Sequence, residues 1–341
     1  MTRAPNSPNK PRVGITIGDP SGIGPEIVLK SVVTPDVRSI CTPIIIGDAK
    51  ELRRQAEEFG LPADYPVVAE DKIDRAIDHG VLICDIERSG PPVQWGQLSA
   101  DSGRAAIACI EAGARLALKG RLDAIATAPI NKEALKMAGS RFPGHTEMLT
   151  SLTGASQSLM CFFAGDLRVI LLTIHMSLAD AIKAITKERL TDTLVLADRE
   201  LKRFGLARPR IGVAGLNPHA SEHGLFGSEE EREMEPAISV CRAAHGIEVS
   251  GPFPSDTLFV RAARGEFDAV VACYHDQGLI AVKCLSFGEA VNVTLGLPII
   301  RTSVDHGTAF DIEGRGVADS NSMTEAIKLA ARLSKEVLSA E

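Results

Sequence analysis

Short apolar runs rich in β-branched residues alternate with helical patterns along most of the chain. Residues 13–17 have the composition of a buried strand, and residues 102–119 have the spacing of an amphipathic helix. The alternation continues in the second half, where residues 167–173, 210–214 and 269–273 are the predicted strands. Strands that alternate with helices favour parallel pairing through right-handed crossovers. The sequence therefore predicts an α/β protein with doubly wound sheets.

The length of the chain indicates two lobes. A chain of 341 residues is long enough for two domains of ordinary size. We predict a first α/β lobe over residues 13–138 and 310–341, and a second α/β lobe over residues 139–309. Residues 1–12 are rich in Pro and Asn and lack an apolar core, so we expect a disordered tail rather than a signal peptide.

The composition argues against two classes of partner. With 37 Lys and Arg against 44 Asp and Glu, the formal net charge is −7, whereas proteins that bind nucleic acids or membrane surfaces usually carry a basic patch. The most apolar uncharged run, residues 169–176, is shorter than the roughly 20 residues of a transmembrane helix. The seven cysteines form no CxxC pair, which is typical of free thiols in a reducing compartment. We therefore expect a cytoplasmic protein without a nucleic-acid or membrane partner.

Three histidines follow three predicted strands of the second half. His175, His219 and His275 each come a few residues after a strand ends. The carboxyl ends of parallel strands lie on the same edge of a sheet, and ligand sites form there. Three imidazoles that converge at such an edge suit a divalent transition metal in a catalytic site. A single loop histidine is more often structural, so the prediction of a metal site depends on the matched positions of all three.

Two aspartates adjoin the predicted metal site in the sequence. Asp276 follows His275 directly, and Asp256 lies in Pro-Ser-Asp-Thr, between the second and third of these predicted strands. A carboxylate in such a position can join the metal ligands or orient a ligand histidine. The alternative for each is an aspartate that stabilises a turn or caps a helix.

A further set of residues is cationic or polar. Lys283 ends one apolar run, Arg301 follows another, and Asn292 lies between them. A cation that ends an apolar strand is placed to meet an anionic group at the sheet edge. His145 and Thr146 belong to a loop that opens a predicted helix, where free backbone N–H groups favour phosphate. These five residues are candidates for binding an anionic substrate, although solvated cations and helix caps produce the same pattern.

A glycine-rich loop, Gly-Asp-Pro-Ser-Gly-Ile-Gly-Pro-Glu, connects the first predicted strand to the first predicted helix at residues 18–26. Such a loop can hold a phosphate or a cofactor, but its spacing matches neither the dinucleotide fingerprint GxGxxG nor the P-loop. A tight strand-to-helix turn is the alternative. The residue pattern therefore assigns no residue to cofactor binding.

Five segments of the chain resemble the 4-hydroxythreonine-4-phosphate dehydrogenase family, and the resemblance extends over nearly the whole length. They are residues 18–26, 143–147, 216–222, 274–278 and 301–308. The resemblance implies a fold like that of isocitrate and isopropylmalate dehydrogenases, with the active site in the cleft between two lobes. In that fold NAD binds without the GxGxxG fingerprint, which would explain why this sequence contains no such fingerprint. The resemblance also implies a homodimer whose sites are shared between the subunits.

The resemblance implies a role for each candidate residue. The family's metal ligands match His175, His219 and His275. Its substrate-contacting residues match His145, Thr146, Lys283, Asn292 and Arg301. Asp256 and Asp276 remain candidates for the catalytic proton acceptor or a metal partner. The implied cofactors are NAD, with NADP as the alternative, and one divalent metal per site, which would be Zn, Mg or Co.

The expected reaction is oxidation of a 4-phosphorylated 3-hydroxy acid at C3, with decarboxylation of the 3-oxo acid. The best match is 4-hydroxythreonine-4-phosphate dehydrogenase of pyridoxal phosphate biosynthesis. Residues 127–133 and 226–229 look like relatives that act on 4-phospho-D-threonate or 4-phospho-D-erythronate in sugar-acid catabolism, so these substrates stay open. Relatives that oxidise terephthalate dihydrodiol act on a non-phosphorylated substrate and fit less well. A phosphate acyltransferase-like enzyme and a catalytically silent binding protein are the alternatives from other classes.

Overall fold

Strands and helices alternate along the chain, which confirms the predicted α/β class. The computed structural model describes residues 10–75, 80–87, 92–286 and 288–340. The strands are, in chain order, β1 (Arg12–Thr16), β2 (Thr42–Gly47), β3 (Val67–Val68), β4 (Leu82–Asp85), β5 (Ala124–Thr127), β6 (Leu159–Ala164), β7 (Leu167–Leu171), β8 (Ile211–Ala214), β9 (Val249–Phe253), β10 (Ala269–Ala272), β11 (Val291–Leu295) and β12 (Arg301–Ser303). The helices are α1 (Gly24–Val32), α2 (Pro35–Ile40), α3 (Ala49–Phe59), α4 (Ala100–Leu118), α5 (Lys132–Met137), α6 (His145–Thr153), α7 (Leu178–Ala184), α8 (Lys187–Arg203), α9 (Glu235–His245), α10 (Ser255–Ala263), α11 (His275–Leu285) and α12 (Asn321–Ala340).

The chain divides by its internal contacts into two compact units. The first comprises Met1–Ser156 and Leu297–Lys335, and the second comprises Gln157–Gly296 and Glu336–Glu341. These boundaries differ from the lobe boundaries predicted at residues 138 and 309. The physical reason is that α6 packs against α4, and β12 pairs with β5, so the segments that carry α6 and β12 belong to the first unit.

A parallel sheet forms the framework of the first unit. Its strand order is β3-β4-β2-β1-β5-β12, with every neighbouring pair parallel. Ile44, Ile45 and Ile46 are consecutive in β2 and are all fully buried, so both faces of this strand are covered, as in other parallel sheets. β1 begins at Arg12, inside the tail predicted over residues 1–12, and residues 1–9 of that tail lie outside the described residues.

The glycine-rich loop at residues 18–26 is a strand-to-helix turn. Gly18 has φ +70°, and the backbone N–H of Ser21 donates to Oδ1 of Asp19 at 2.8 Å. Gly24 starts α1 so close to β1 that a Cβ atom there would lie 2.1 Å from the carbonyl oxygen of Ile17. The glycines thus allow close packing of the first helix on the first strand, which is the simpler of the two interpretations of the loop.

Buried carboxyl groups lie beside this turn in the first unit. Glu26 is fully buried and accepts a hydrogen bond from Nζ of Lys30 at 2.6 Å. Both carboxyl oxygens of Glu313 are also shielded from solvent. Burial, followed by the negative charge of Glu26, raises the pKa of Glu313 to about 7. The folded protein therefore holds a proton on Glu313 at pH values where an exposed glutamate has lost it.

We expect Glu313→Gln to raise the melting temperature at pH 8 and to leave it nearly unchanged at pH 5. A carboxyl group with a raised folded pKa contributes stability below its unfolded pKa, and this contribution is lost as the pH rises through about 7. The gain at pH 8 should be about 1–2 kcal/mol in the free energy of unfolding, allowing for the partial exposure of the group. The exposed Glu58→Gln is the control. Equal stabilisation at both pH values would contradict this account.

The second unit contains a mixed sheet, in the order β11-β6-β7-β10-β8-β9. β7, β10, β8 and β9 are parallel to one another, but β6 is antiparallel to both β7 and β11. The expectation of parallel pairing is therefore wrong for β6. The reason is local, because only Gly165 and Asp166 separate β6 from β7, and a two-residue turn returns the chain as a hairpin. Gly165 adopts φ +61° in this turn.

All seven cysteines are free thiols, and every one except Cys284 is buried. No helix within the described ranges is long and apolar enough to cross a membrane.

Candidate active site

Three neighbouring strands of the second unit lead into the three predicted metal ligands. β10 lies between β7 and β8 and is parallel to both, so the carboxyl ends of these strands lie on one edge. His175 follows β7, His219 follows β8, and His275 is the first residue of the helix after β10. The histidines therefore follow adjacent strands, with His275 on the central one.

His175 and His275 face each other at this edge. Their ring centroids are 5.9 Å apart, and the ring planes are inclined by 40°. Both rings line a cleft of about 460 Å³, together with Tyr274 and Asp276. Oδ1 of Asp276 lies 2.7 Å from Nδ1 of His275, and a carboxylate there favours a proton on Nδ1. In this tautomer, Nε2 of His275 keeps its lone pair for a ligand.

Close packing positions the start of α11, which carries His275. A Cβ atom at Gly278 would lie 2.6 Å from Cδ2 of Leu171 in β7 and 3.0 Å from Cγ1 of Val169. A side chain at position 278 would therefore have to displace Leu171, whereas glycine leaves room for this close approach of the helix to the sheet. This approach helps to bring His275 toward the loop that follows β7, where His175 lies.

His219 lies in a left-handed turn. His219, Ala220, Ser221, Glu222 and His223 are five consecutive residues with φ between +46° and +67°. A left-handed backbone costs roughly 1–2 kcal/mol for each residue with a Cβ atom, so surrounding contacts must hold this conformation. Such strained segments cluster at functional sites, which is consistent with a functional role for this turn.

Asn217 anchors the chain just before this turn. Its backbone N–H donates to Oε1 of Glu230 at 2.7 Å. Its side-chain Nδ2 donates to Oε2 of Glu230 and to Oε2 of Glu229, both at 2.8 Å. The bond from Asn217 is the main cause that lowers the pKa of Glu229. Glu230 is fully buried, so this contact fixes Asn217 to the interior of the second unit.

The structure brings two of the three histidines into contact. The ring of His219 lies beside Phe226, with 6.0 Å between the ring centroids. Within residues 10–75, 80–87, 92–286 and 288–340, no group of three or more His, Cys, Asp or Glu side chains is arranged to hold a metal ion. Asp256 lies in the first turn of α10 and is exposed.

Arg301 has a different setting from the predicted one. The sequence predicts that it ends an apolar strand, but it is the first residue of β12, opposite Ile125 of β5. Its side chain is 2% exposed, and its Nε and Nη2 donate to Oγ1 of Thr127 at 3.1 and 2.8 Å. No local sequence pattern marks Thr127 for this role, although it opens the segment 127–133 that resembles the phosphorylated sugar-acid relatives.

His145 and Thr146 open α6 in the first unit, as the sequence predicts. Gly144 caps this helix without a side-chain hydrogen bond. Nε2 of His145 is buried and has no hydrogen-bond partner in the described part of the chain. Burial, followed by the positive charge of Arg301, lowers the pKa of His145 well below its ordinary value. His145 is therefore neutral at pH 7, and its ring lies in the electrostatic field of the buried guanidinium.

Lys283 and Asn292 belong to the second unit. The apolar run before Lys283 predicts a strand, but it is part of α11, and Lys283 lies near the end of that helix. It lies eight positions after His275, which corresponds to about 12 Å along the helix axis. Asn292 lies in β11, and its Oδ1 is buried without a hydrogen-bond partner among the described residues. A buried amide oxygen without a partner is rare in folded proteins, and a water molecule, an ion or a ligand can complete it.

The sequence matches known proteins over nearly its whole length. The family described as "Pyridoxal phosphate biosynthetic protein PdxA" matches residues 39–330. The D-threonate 4-phosphate dehydrogenase of Cupriavidus necator is 47% identical over 325 residues, which cover 95% of this chain and 97% of the relative. The 4-hydroxythreonine-4-phosphate dehydrogenase of Desulfosudis oleivorans is also 47% identical over 325 residues, covering 94% of this chain and 95% of the relative.

Solved structures agree with these matches. The 4-hydroxythreonine-4-phosphate dehydrogenase of Klebsiella pneumoniae is 42% identical, with a TM-score of 0.87, and the match covers 95% of this chain and all of that one. A branched-chain phosphotransacylase of Enterococcus faecalis is only 12% identical, with a TM-score of 0.52 over 94% of this chain and 99% of that one, so this likeness shows the fold alone. The expected resemblance is confirmed, and the chain belongs to the pyridoxal phosphate biosynthetic protein PdxA family.

Proposed function

We propose that this protein is an NAD- and divalent-metal-dependent dehydrogenase of a 4-phosphorylated 3-hydroxy acid. The enzyme oxidises C3 and releases CO2 from the 3-oxo acid. Its relatives are dehydrogenases named for 4-hydroxythreonine 4-phosphate and for D-threonate 4-phosphate. The observation that carries the proposal is the facing pair of imidazoles, His175 and His275, at the ends of two adjacent parallel strands.

The donor set of three imidazoles, His175, His219 and His275, suits Zn²⁺ or Co²⁺ better than Mg²⁺, which prefers oxygen ligands. Two imidazoles that share a tetrahedral Zn²⁺ have ring centroids roughly 5–6 Å apart, because each Zn–N bond is about 2.0–2.1 Å long. The 5.9 Å between His175 and His275 fits this requirement. His219 supplies the third imidazole from the end of the next strand. A metal bound there supplies Lewis-acid stabilisation of negative charge on a substrate oxygen.

The proposed substrate-binding residues are the cationic and polar set, namely His145, Thr146, Lys283, Asn292 and Arg301. In the first unit, the Arg301 guanidinium and the α6 N-terminus at His145 and Thr146 attract the phosphate group. The neutral His145 adds a ring nitrogen that is buried and without a partner among the described residues. In the second unit, Lys283 and Asn292 offer an ammonium group and an amide to the phosphate or the carboxylate.

Asp256 and Asp276 are the proposed proton acceptors of the reaction. When bound, NAD would supply the two-electron acceptor for the hydride from C3, and one of these carboxylates would take the hydroxyl proton. Asp276 also orients His275 through the 2.7 Å contact to Nδ1. The bond between C2 and the carboxylate then breaks, its electron pair moves toward the new C3 carbonyl, and a proton is added at C2. No residue is assigned to NAD, and NADP is the alternative coenzyme.

A panel assay tests the proposed function. NADH formation should be measured with 4-phosphohydroxy-L-threonine, 4-phospho-D-threonate and 4-phospho-D-erythronate, with and without a chelator. We expect metal-dependent activity on at least one of them. A higher kcat/KM for 4-phosphohydroxy-L-threonine would assign the enzyme to pyridoxal phosphate biosynthesis, and a higher value for either sugar acid would assign it to catabolism. No NADH with any of the three, despite added metal, would refute the proposal.

Thr127 should matter for substrate binding through Arg301. We expect Thr127→Val to raise KM for the phosphorylated substrate roughly 10-fold or more, because loss of a hydrogen bond to a charged group costs about 1.5–3 kcal/mol. Thr127→Ser keeps the hydroxyl and should remain near the wild type. Steady-state kinetics of the two variants measure this difference. Equal KM values for the valine and serine variants would show that the hydroxyl does not position Arg301.

We also propose a cytoplasmic homodimer whose sites take residues from both chains. The free thiols fit a reducing compartment. A two-fold interface would create two equivalent sites. Sedimentation velocity should give the mass of two chains, and full activity in a demonstrated monomer would contradict the shared site.

A further inference from the structure

The side chain of Gln277 connects three loops of the second unit. Its Oε1 accepts a hydrogen bond from the backbone N–H of Cys273 at 2.6 Å. Its Nε2 donates to the carbonyl oxygen of Gly215 and to Oγ of Ser255, both at 2.8 Å. Oγ of Ser255 donates to the same carbonyl oxygen of Gly215, also at 2.8 Å. These four residues form a closed arrangement, which we call the Gln277 network.

The chemistry of the partners fixes the orientation of the amide. The N–H of Cys273 can only donate, and the carbonyl of Gly215 can only accept. A flipped amide would oppose both partners. Glutamine is therefore the side chain that fits, since it places one acceptor toward Cys273 and two donors toward Gly215 and Ser255. Glutamate would turn a second oxygen toward the carbonyl of Gly215, and leucine would form none of these bonds.

Each loop in the network carries a candidate active-site residue. Gly215 directly follows β8 and starts the segment that leads to His219. Ser255 opens α10 and precedes Asp256, while Cys273 directly follows β10 and lies two residues before His275. The network thus connects the loops after β8, β9 and β10 at a single side chain.

Gly215 also contacts the left-handed turn that carries His219, so a change in the Gln277 network can reach His219. A Cβ atom at position 215 would lie 2.9 Å from Cβ of Ala220, so the backbone of Gly215 packs directly against the turn. A shift of Gly215 would therefore displace a segment whose positive φ angles already need support from its surroundings.

We infer that Gln277 is a positioning residue, which sets the relative placement of His219, Asp256 and His275. The inference deepens the proposed function and rests on it for the role of these three residues. Gln277 itself need not touch substrate or metal. Loss of an outer hydrogen-bonding partner in a metal site typically lowers metal affinity or activity about 10–100-fold.

Two variants of Gln277 remove different numbers of the hydrogen bonds in the network. Gln277→Glu keeps an acceptor for the N–H of Cys273 but removes the donor to Gly215. Gln277→Leu removes every bond. The control is Gln157→Glu, which makes the same charge change at an exposed residue of the same unit. Each full-length variant is assayed for its Kd for Co²⁺ by chelator competition, for kcat and KM, and, without metal, for hydrogen exchange in residues 215–223.

If Gln277 positions these loops, its variants should differ from the wild type in hydrogen exchange, in the Kd for Co²⁺ and in kcat. Both Gln277 variants should show exchange of residues 215–223 accelerated roughly 10-fold without metal, because the segment opens locally more often. The Kd for Co²⁺ should rise about 10–100-fold, and kcat should fall while KM changes little. Gln157→Glu should behave like the wild type in every assay.

Other results overturn the inference or the proposed function separately. If the folded Gln277 variants match the wild type within about threefold in exchange and in Kd, the positioning role is refuted while the metal site stands. If the wild type binds no Co²⁺, the proposed metal function fails. Positioning is still tested in that case, because unchanged hydrogen exchange of the Gln277 variants without metal would refute it. If Gln277→Leu does not fold, Gln277→Glu and Ser255→Ala are judged by the same criteria.

Discussion

Replacing His219 with alanine should abolish turnover and lower the metal content while leaving the fold intact. The imidazole is exposed on a turn, so its removal costs little packing, but a proposed metal ligand disappears. The loss in kcat should exceed the roughly 100-fold effect that is typical of outer partners of metal ligands. Metal analysis, circular dichroism and steady-state rates measure these three quantities.

The same turn provides a matched control. His223 is also exposed and has φ +56°, close to the φ of +54° at His219. His223→Ala therefore repeats the loss of an imidazole from a left-handed backbone without removing a proposed ligand. We expect it to keep its metal and most of its activity. Near-normal activity of His219→Ala in metal-stripped buffer would remove His219 from the metal site.

Replacing Arg301 with alanine should strongly raise KM for the phosphorylated substrate. Loss of a charge-assisted contact from a desolvated site typically costs about 2–4 kcal/mol, which corresponds to a factor of roughly 30–1,000 in kcat/KM. Arg301 is almost completely buried, so the contact lies in a site of that kind. A dephosphorylated analogue should be affected much less, and comparison of kcat/KM for the two substrates measures the difference.

A lysine variant controls for the loss of charge. Arg301→Lys keeps a cation but loses the planar group that donates through both Nε and Nη2 to Thr127. We expect its kcat/KM to lie between those of the wild type and Arg301→Ala. Equal losses on the phosphorylated and dephosphorylated substrates would mean that Arg301 is structural or binds the carboxylate instead.

Some errors of the sequence-based prediction arose where a short apolar run fits two structures. The run before Lys283 reads as a strand but is part of α11, where Leu279 and Val282 are buried and Ile280 is exposed, because periodicity alone does not separate short strands from helical segments. β6 was overlooked and is antiparallel, although Gly165 and Asp166 are a recognisable turn signal between two apolar runs. Arg301 was assigned to the end of a strand but begins β12.

The sequence by itself determined the α/β class, the family and the positions of the candidate residues. Local patterns suffice for these, since buried strands and helices carry their own periodicity and the family segments are contiguous. His175, His219 and His275 could therefore be assigned to the ends of strands without a structure.

Only the tertiary structure decided which of these strand ends are neighbours and how the loops are held. The sheet order β7-β10-β8 places the last of the three strands in the centre, because crossover connections, not chain order, set strand adjacency. The Gln277 network depends on hydrogen bonds such as Gln277 to Gly215, between residues 62 positions apart. No local pattern contains such bonds, since each needs two distant segments to be folded together first.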